Sequence, residues 1–310
     1  MSDSMIHDWP EDFRAGFISI VGRPNAGKST LTNALVGQKI VITANQPETT
    51  RRIVRGIVHR DAGQLVLVDT PGLHRPRTLL GERLNDMVRD SLEGVDGALM
   101  CLPADEKIGP GDKFLLRELA EAHVPIFAAV TKVDKITRDA LANKLIEVSQ
   151  LHDFVEIIPV SAVAGEQVEL LADVLLGHMP ISPPLYPVDT VTDESDEAMI
   201  AEFIREAALT DVREELPHSI AVVVEEMIER EAQPGSKKQP LLDIHAQIYV
   251  ERPSQKGIII GHGGQRLRKV GQEARKNIER LLGRKIFLDL HVKVAKDWQR
   301  DPKQLGRLGF

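Results

Sequence analysis

The chain has 310 residues, of which 42% are hydrophobic and 27% charged, enough for two domains that each bury a core. No apolar run reaches the length of a membrane span, and the opening MSDSMIHDWPEDFR is polar and acidic rather than signal-like, so the cytoplasm is the expected location. A single cysteine, Cys101, excludes an internal disulfide or a cysteine metal site, and its setting GALMCLP reads as a buried structural thiol. The net charge of −7 is unevenly spread: residues 251–310 hold fifteen Lys+Arg against six Asp+Glu, and the remainder is acidic. Such a split points to a basic nucleic-acid-facing segment on an acidic body, although a solvated basic helix face gives the same count.

The stretch ISIVGRPNAGKSTLTNAL, residues 18–35, begins as an apolar strand, turns at Gly22 and continues as a helix from Lys28. Gly22, Gly27, Lys28 and Ser29 fit the phosphate-binding pattern G-x-x-x-x-G-K-[ST], with Asn25, Ala26 and Thr30 in the same loop and first turn. Glycines let successive N–H groups face one anion, and the helix N-terminus adds partial positive charge. In this pattern Lys28 reaches the β- and γ-phosphates and the Ser29 hydroxyl sits on Mg²⁺.

A polar loop follows, then a strand-like run from Arg52 to His59. Thr50 lies in the loop, where its hydroxyl can meet Mg²⁺ and its N–H the γ-phosphate; without the neighbouring motifs it reads as surface turn chemistry. QLVLVDTPG then gives a strand ending at Asp69, placed to hold Mg²⁺, with Gly72 bringing a backbone N–H close to the γ-phosphate.

Strand and helix go on alternating: GALMCLP, a helix near Lys113–Ala122, PIFAAVT and EIIPV. The third of these ends in Thr131-Lys132-Val133-Asp134, where Asp134 can accept both guanine N1–H and N2–H₂ and Lys132 can lay its stem along the base. The last ends at Ser161-Ala162, whose backbone can offer an N–H to guanine O6. The ordered set resembles the translation-factor-type GTPases, and GRPNAGKSTL, ETTR, DTPGLH and SA-x-x-G resemble the Era family. That resemblance implies a doubly wound, mostly parallel α/β sheet, which the alternating pattern supports independently. The cofactors it implies are GTP/GDP and Mg²⁺.

Three positions depart from, or sharpen, that resemblance. Thr131 stands where the guanine motif usually has Asn; it keeps a hydrogen-bonding group but shortens the reach, so weaker nucleotide affinity is expected. Leu73 follows DTPG where many GTPases keep the Gln that orients water, so slow intrinsic hydrolysis is expected. Asn25 matches the Asn that helps hold K⁺ in related potassium-activated GTPases; the plainer alternative is that it only braces the loop.

Four prolines and an acidic run in PISPPLYPVDTVTDESDEAM read as an extended linker. The expected division is therefore a tail over 1–14, a GTPase domain over 15–182, a linker over 183–195 and a second domain over 196–310. The second domain opens with a helix over Asp196–Glu215 whose apolar stripe is Met199, Ile200, Phe203, Ile204 and Ala207. SIAVVVEEMIER and LLDIHAQIYVERP read as antiparallel strands.

KGIIIGHGGQRLRKVGQEARKNIERLLGRKIFLDLHVKV then places Gly261-His262-Gly263-Gly264 between a short helix and a long basic one, before a closing strand. That arrangement resembles a type II KH domain, whose G-x-x-G loop clamps the backbone of about four single-stranded nucleotides. On this reading Lys256, Arg266, Arg268 and Lys269 supply charge, and Ile258, Ile259 and Ile260 form one wall of the base groove. The family often has Lys between the glycines, and His262 here weakens the phosphate attraction.

The resemblance implies a slow Mg²⁺-dependent GTPase that binds 16S ribosomal RNA of the small subunit near its 3′ end and assists subunit maturation. With no coiled-coil seam a monomer is expected, with a cytoplasmic site and a peripheral membrane-associated fraction. Two rivals stay open: a membrane-associated signalling GTPase whose basic domain meets anionic lipid, and a scaffold whose nucleotide hardly turns over.

Overall fold

The computed structural model describes residues 9–43, 49–72, 78–210, 212, 216, 219–230 and 240–310. Leu73 and the turn between the two strands of the second domain lie outside the described residues. The described chain separates into two compact units. One holds 9–41, 50–72 and 84–193, and the other holds 42–43, 49, 78–83 and the described residues from 194 onward.

In the first unit the strands are β1 (Arg14–Gly22), β2 (Val54–Arg60), β3 (Gly63–Asp69), β4 (Gly97–Pro103), β5 (Ile126–Thr131) and β6 (Ile157–Pro159). Between them run α1 (Lys28–Val36), α2 (Leu79–Asp90, of which residues 84–90 belong to this unit), α3 (Pro110–Glu121), α4 (Arg138–Ser149) and α5 (Val168–Gly177), the last after β6. The sheet order is β2-β3-β1-β4-β5-β6, parallel throughout except for β2 against β3.

β3 and β4 are buried along their whole length, as strands must be when helices cover both faces. Alternation along β4 makes the two layers visible. Leu99 and Cys101 pack with Leu31 and Leu35 of α1 and Leu171 and Leu175 of α5. Ala98, Met100 and Leu102 pack on the other face with Val88 of α2, Leu115 and Leu119 of α3 and Val148 of α4. The helix predicted near Lys113–Ala122 begins three residues earlier, because Pro110 starts it and the Asp112 carboxylate accepts the Gly109 N–H at 2.8 Å.

The proline-rich stretch is not simply extended: Thr190 N donates to Pro187 O in a turn, and the stretch is tied down. The Gln64 side-chain oxygen accepts from Leu185 N and Tyr186 N at 2.8 and 2.9 Å, its amide donates to Tyr186 O, and Ile57 N donates to Val191 O. This is why the first compact unit runs on to Asp193.

The second unit contains α6 (Asp196–Leu209), β7 (Ala221–Glu229), β8 (Leu242–Val250), α7 (Pro253–Ile260), α8 (Gln265–Leu282), β9 (Ile286–Val294) and α9 (Pro302–Arg307). Ser195 caps α6, accepting from Ala198 N, and the helix ends at Leu209, earlier than its apolar stripe predicts, because Thr210 turns extended at φ −64°, ψ 131°. β7 and β8 are antiparallel, as predicted, and β9 runs parallel to β8 after the α7–α8 crossover. Leu242, Ile244, Ala246, Ile248 and Val250 alternate inward along β8, and Val270, Ala274 and Ile278 form the buried stripe of α8. Trp298 is fully buried and stacks on Phe310, closing the chain end against the same unit.

Candidate functional site

The phosphate loop, DTPG, the guanine motif and Ser161-Ala162 follow β1, β3, β5 and β6 at their carboxyl ends, and Thr50 lies ahead of β2. The carboxyl ends are where an open α/β sheet leaves its ligand crevice. The phosphate loop follows β1, and the β1–β3 register sets Ile20 beside Asp69, so Asp69 is delivered next to the loop. Thr70 locks that junction by donating to Ile20 O at 2.8 Å.

Around the loop the polar groups converge. Ser29 Oγ donates to Asp69 Oδ2 at 2.8 Å, and the Thr50 hydroxyl lies 2.8 Å from Ser29 Oγ. Among the described residues Asp69 Oδ1 is buried without a hydrogen-bond donor, and burial pushes the carboxyl up to about 6 against the pull of Lys28 and of the Ser29 and Thr32 hydroxyls. A buried carboxylate oxygen without a donor, beside two hydroxyls, fits a hard divalent cation such as Mg²⁺. Lys28 is also buried, which lowers its pKa, and its ammonium donates to Gly22 O and Arg23 O, both at 3.1 Å. An ammonium donating to loop carbonyls is poised for an anion, and a phosphate fits. Thr30 sits in the first turn of α1, and Asn25 is exposed with a left-handed φ of 61°.

Gly72 is required for close approach. A Cβ there would lie 2.8 Å from Pro24 N and 3.0 Å from Pro24 Cα, so any side chain would push the DTPG segment off the phosphate loop. Arg23 braces the same loop from outside, donating to Asp112 at 2.7 Å and pairing with Glu106. The sequence carries no sign of that brace, because Asp112 lies 89 positions away on α3.

The base-reading loops follow β5 and β6. Lys132 takes a left-handed φ of 59° and reaches Glu106 at 3.4 Å, leaving its stem along the crevice. Asp134 is exposed, and its Oδ1 accepts from Ser161 Oγ at 2.5 Å. Ser161 therefore aims Asp134. Its own N–H is committed to Glu166 O at 3.1 Å, so Ser161 is not a backbone donor to the base, and within the predicted pair only Ala162 keeps that role. Thr131 corrects the expected loss of reach: its hydroxyl donates to Ala26 O of the phosphate loop at 2.7 Å.

In the second unit the glycine loop lies between α7 and α8, as predicted. Gly261, Gly263 and Gly264 have φ of 71°, 55° and 76°, conformations that side chains resist. Of the three isoleucines before the loop, Ile259 is fully buried and Ile258 is 49% exposed. Successive helical residues point about 100° apart, so the run does not form one wall, and Ile259 is core. Arg266 is likewise not free, since it donates to Thr210 O at 2.8 Å. Arg268, Lys269 and His262 are exposed, and Lys256 is partly so. The concave surface beside the loop is lined instead by Leu267, Gly271, Leu288 and Leu290, with Arg268 and Arg275 on its rim. The spacing of Leu267 and Gly271 on α8 was the available signal for it.

Fold and site together define a P-loop GTPase joined to a KH domain. Residues 17–132 match the family described as 50S ribosome-binding GTPase, and residues 215–299 match the KH domain family. The chain is 63% identical over 303 residues to the GTPase Era of Streptomyces coelicolor, covering 96% of this chain and 95% of that one. It is 57% identical over 302 residues to the GTPase Era of Mycolicibacterium smegmatis, covering 96% and 99%. A crystal structure of an Aquifex aeolicus Era variant bound to GDP·AlF₄⁻ superposes with a TM-score of 0.91 at 35% identity, covering 96% of this chain and 99% of that one. A structure of Era with MgGDPNP and nucleotides 1506–1542 of 16S ribosomal RNA gives 0.90 at 35% identity, with the same coverage. The chain belongs to the Era family of GTPases.

Proposed function

We propose that this GTPase binds single-stranded RNA near the 3′ end of the small subunit's 16S ribosomal RNA through its KH domain, and that it assists small-subunit maturation. The observation that carries the reading is the Gly261–Gly264 loop, three left-handed glycines set between two helices with exposed Arg268 and Lys269 beside them. The complex of a family member with a 16S fragment supports the choice of RNA.

On this reading Lys28 holds the β- and γ-phosphates, Ser29, Thr50 and Asp69 hold Mg²⁺, and Lys132, Asp134 and Ala162 read guanine. When held there, Mg²⁺ would supply charge neutralisation to the phosphates. Thr50 and the Gly72 N–H sense the γ-phosphate. Coupling to the second unit runs along the chain: Arg205 of α6, itself buried, donates to the Thr49 carbonyl, one peptide from Thr50. Asn25 takes K⁺ beside the phosphates, and Leu73 keeps intrinsic hydrolysis slow. The protein works as a cytoplasmic monomer with a peripheral membrane-associated fraction, and among the described residues no helix is long and apolar enough to cross a membrane.

The test is binding of a single-stranded oligonucleotide copying the 16S 3′ end to wild type and to Gly264→Asp, with anionic vesicles in a parallel arm. RNA binding lost in the variant supports the reading. Vesicle binding without RNA binding replaces it with the lipid rival.

A further inference from the structure

The loop between β4 and α3, residues 104–109, carries none of the nucleotide motifs, yet it is bonded to two of them. Ala104 N donates to the Thr131 carbonyl at 2.8 Å, so the loop leaves β4 already tied to the residue before Lys132. Glu106 N then closes a turn onto Pro103 O.

The Glu106 carboxylate divides its two oxygens between those motifs. Oε1 accepts from Lys132 Nζ of the guanine motif at 3.4 Å, and Oε2 accepts from Arg23 Nη2 of the phosphate loop at 3.2 Å. The backbone at 106 is held as well, because the buried Lys144 of α4 donates its ammonium to the Glu106 carbonyl at 2.8 Å. Glu106 is therefore fixed before any ligand arrives. Its two partners depend on it unequally. Arg23 has a second and shorter bond to the buried Asp112 carboxylate, at 2.7 Å. Lys132 has only a more distant anion in Asp105, at 3.8 Å, and Asp105 already holds Lys135 at 3.1 Å. Without Glu106 the phosphate loop keeps its brace, and Lys132 loses its nearer anchor.

A lysine stem has much rotamer freedom to lose when it is laid along a base. An anion that holds its far end removes part of that freedom in advance, which is preorganisation.

We propose that Glu106 is a positioning residue for guanine-nucleotide binding: it pins the Lys132 ammonium and so sets the stem along the base crevice. The inference rests on the reading of Lys132 given above. Glu106 acts through Lys132 and not on the nucleotide.

The experiment titrates full-length wild type, Glu106→Ala, Glu106→Gln, Lys132→Met and the Glu106→Ala/Lys132→Met double variant with fluorescent GDP. The control is Glu147→Ala, which removes a carboxylate paired with Lys144 and not with Lys132. Displacement by pyrophosphate, which has no base, is measured alongside. Glu106→Ala is expected to bind GDP about fivefold more weakly, near the upper end for a part-exposed ion pair, and the loss shrinks at high salt. Glu106→Gln keeps the volume without the charge and is expected to fall between wild type and Glu106→Ala. Pyrophosphate affinity is expected to stay at the wild-type value in both, and GDP affinity to stay there in Glu147→Ala. Adding Glu106→Ala to Lys132→Met is expected to change GDP affinity little, because the two residues act as one unit. Wild-type GDP affinity in both Glu106 variants overturns the proposal. So do equal losses for GDP and pyrophosphate, or losses that add in the double variant. Wild-type GDP affinity in Lys132→Met overturns the reading of Lys132, and the proposal with it.

Discussion

The Thr131 hydroxyl donates to the Ala26 carbonyl at 2.7 Å, tying the strand end that reads the base to the loop that holds the phosphates. Asn is the usual residue in this position among related GTPases, and threonine reaches the loop here because β5 ends close enough: the side-chain carbons of Thr131 lie 3.6–3.9 Å from a Cβ built on Gly27. A buried carbonyl left without a donor costs about 1–3 kcal/mol.

Thr131→Val keeps the shape and removes only that donor. GDP affinity measured by fluorescent-nucleotide titration is expected to fall about tenfold, in line with the cost of one buried acceptor. Unchanged affinity would mean the loop is held without Thr131.

Mg²⁺ should carry a pH signature. Burial pushes the Asp69 carboxyl up to about 6, so below that pH the metal-free site holds a proton that Mg²⁺ must displace. The Mg²⁺-dependent gain in GTP affinity is expected to be flat above pH 7 and to fall as pH drops through 6, approaching about tenfold per unit well below it. Asp69→Asn should abolish both the gain and its pH dependence in the same titration.

Cys101 is fully buried in β4, and burial pushes its thiol up to about 12, so at pH 8 it is protonated as well as inaccessible. The native protein is expected to resist iodoacetamide for hours and to label fully in denaturant, as read by intact mass. Fast native labelling would place the residue outside the core layer it shares with Leu31 and Phe127.

Much of the fold was legible because its signals are local. The phosphate loop, DTPG, the guanine motif and the glycine loop are each contiguous, and in the first unit the alternation of strands and helices orders the first three at the carboxyl ends of its parallel strands. What was not legible depends on distance or on helix phase. Ile259 reads like its two neighbours until the phase of α7 turns it inward. Arg266 reads as a free cation until the fold brings it to Thr210 O. The linker composition is plain in the sequence, but its anchoring by Gln64, more than a hundred residues earlier, is not. The Ser161-Ala162 pair reads as one backbone donor to the base, and only the fold shows that the Ser161 side chain aims Asp134 while its N–H is spent on Glu166.

The coupling of nucleotide state to RNA binding is tested most directly on whole small ribosomal subunits. Purified full-length protein is bound to them with a non-hydrolysable GTP analogue, with GDP and without nucleotide, and the bound fraction is read by sedimentation, with large subunits as the comparison. Tighter binding to small subunits in the GTP-analogue state is expected, with loss of that preference in Thr50→Ala. Equal binding in all three states, or a preference for large subunits, would contradict a nucleotide-timed clamp on small-subunit RNA.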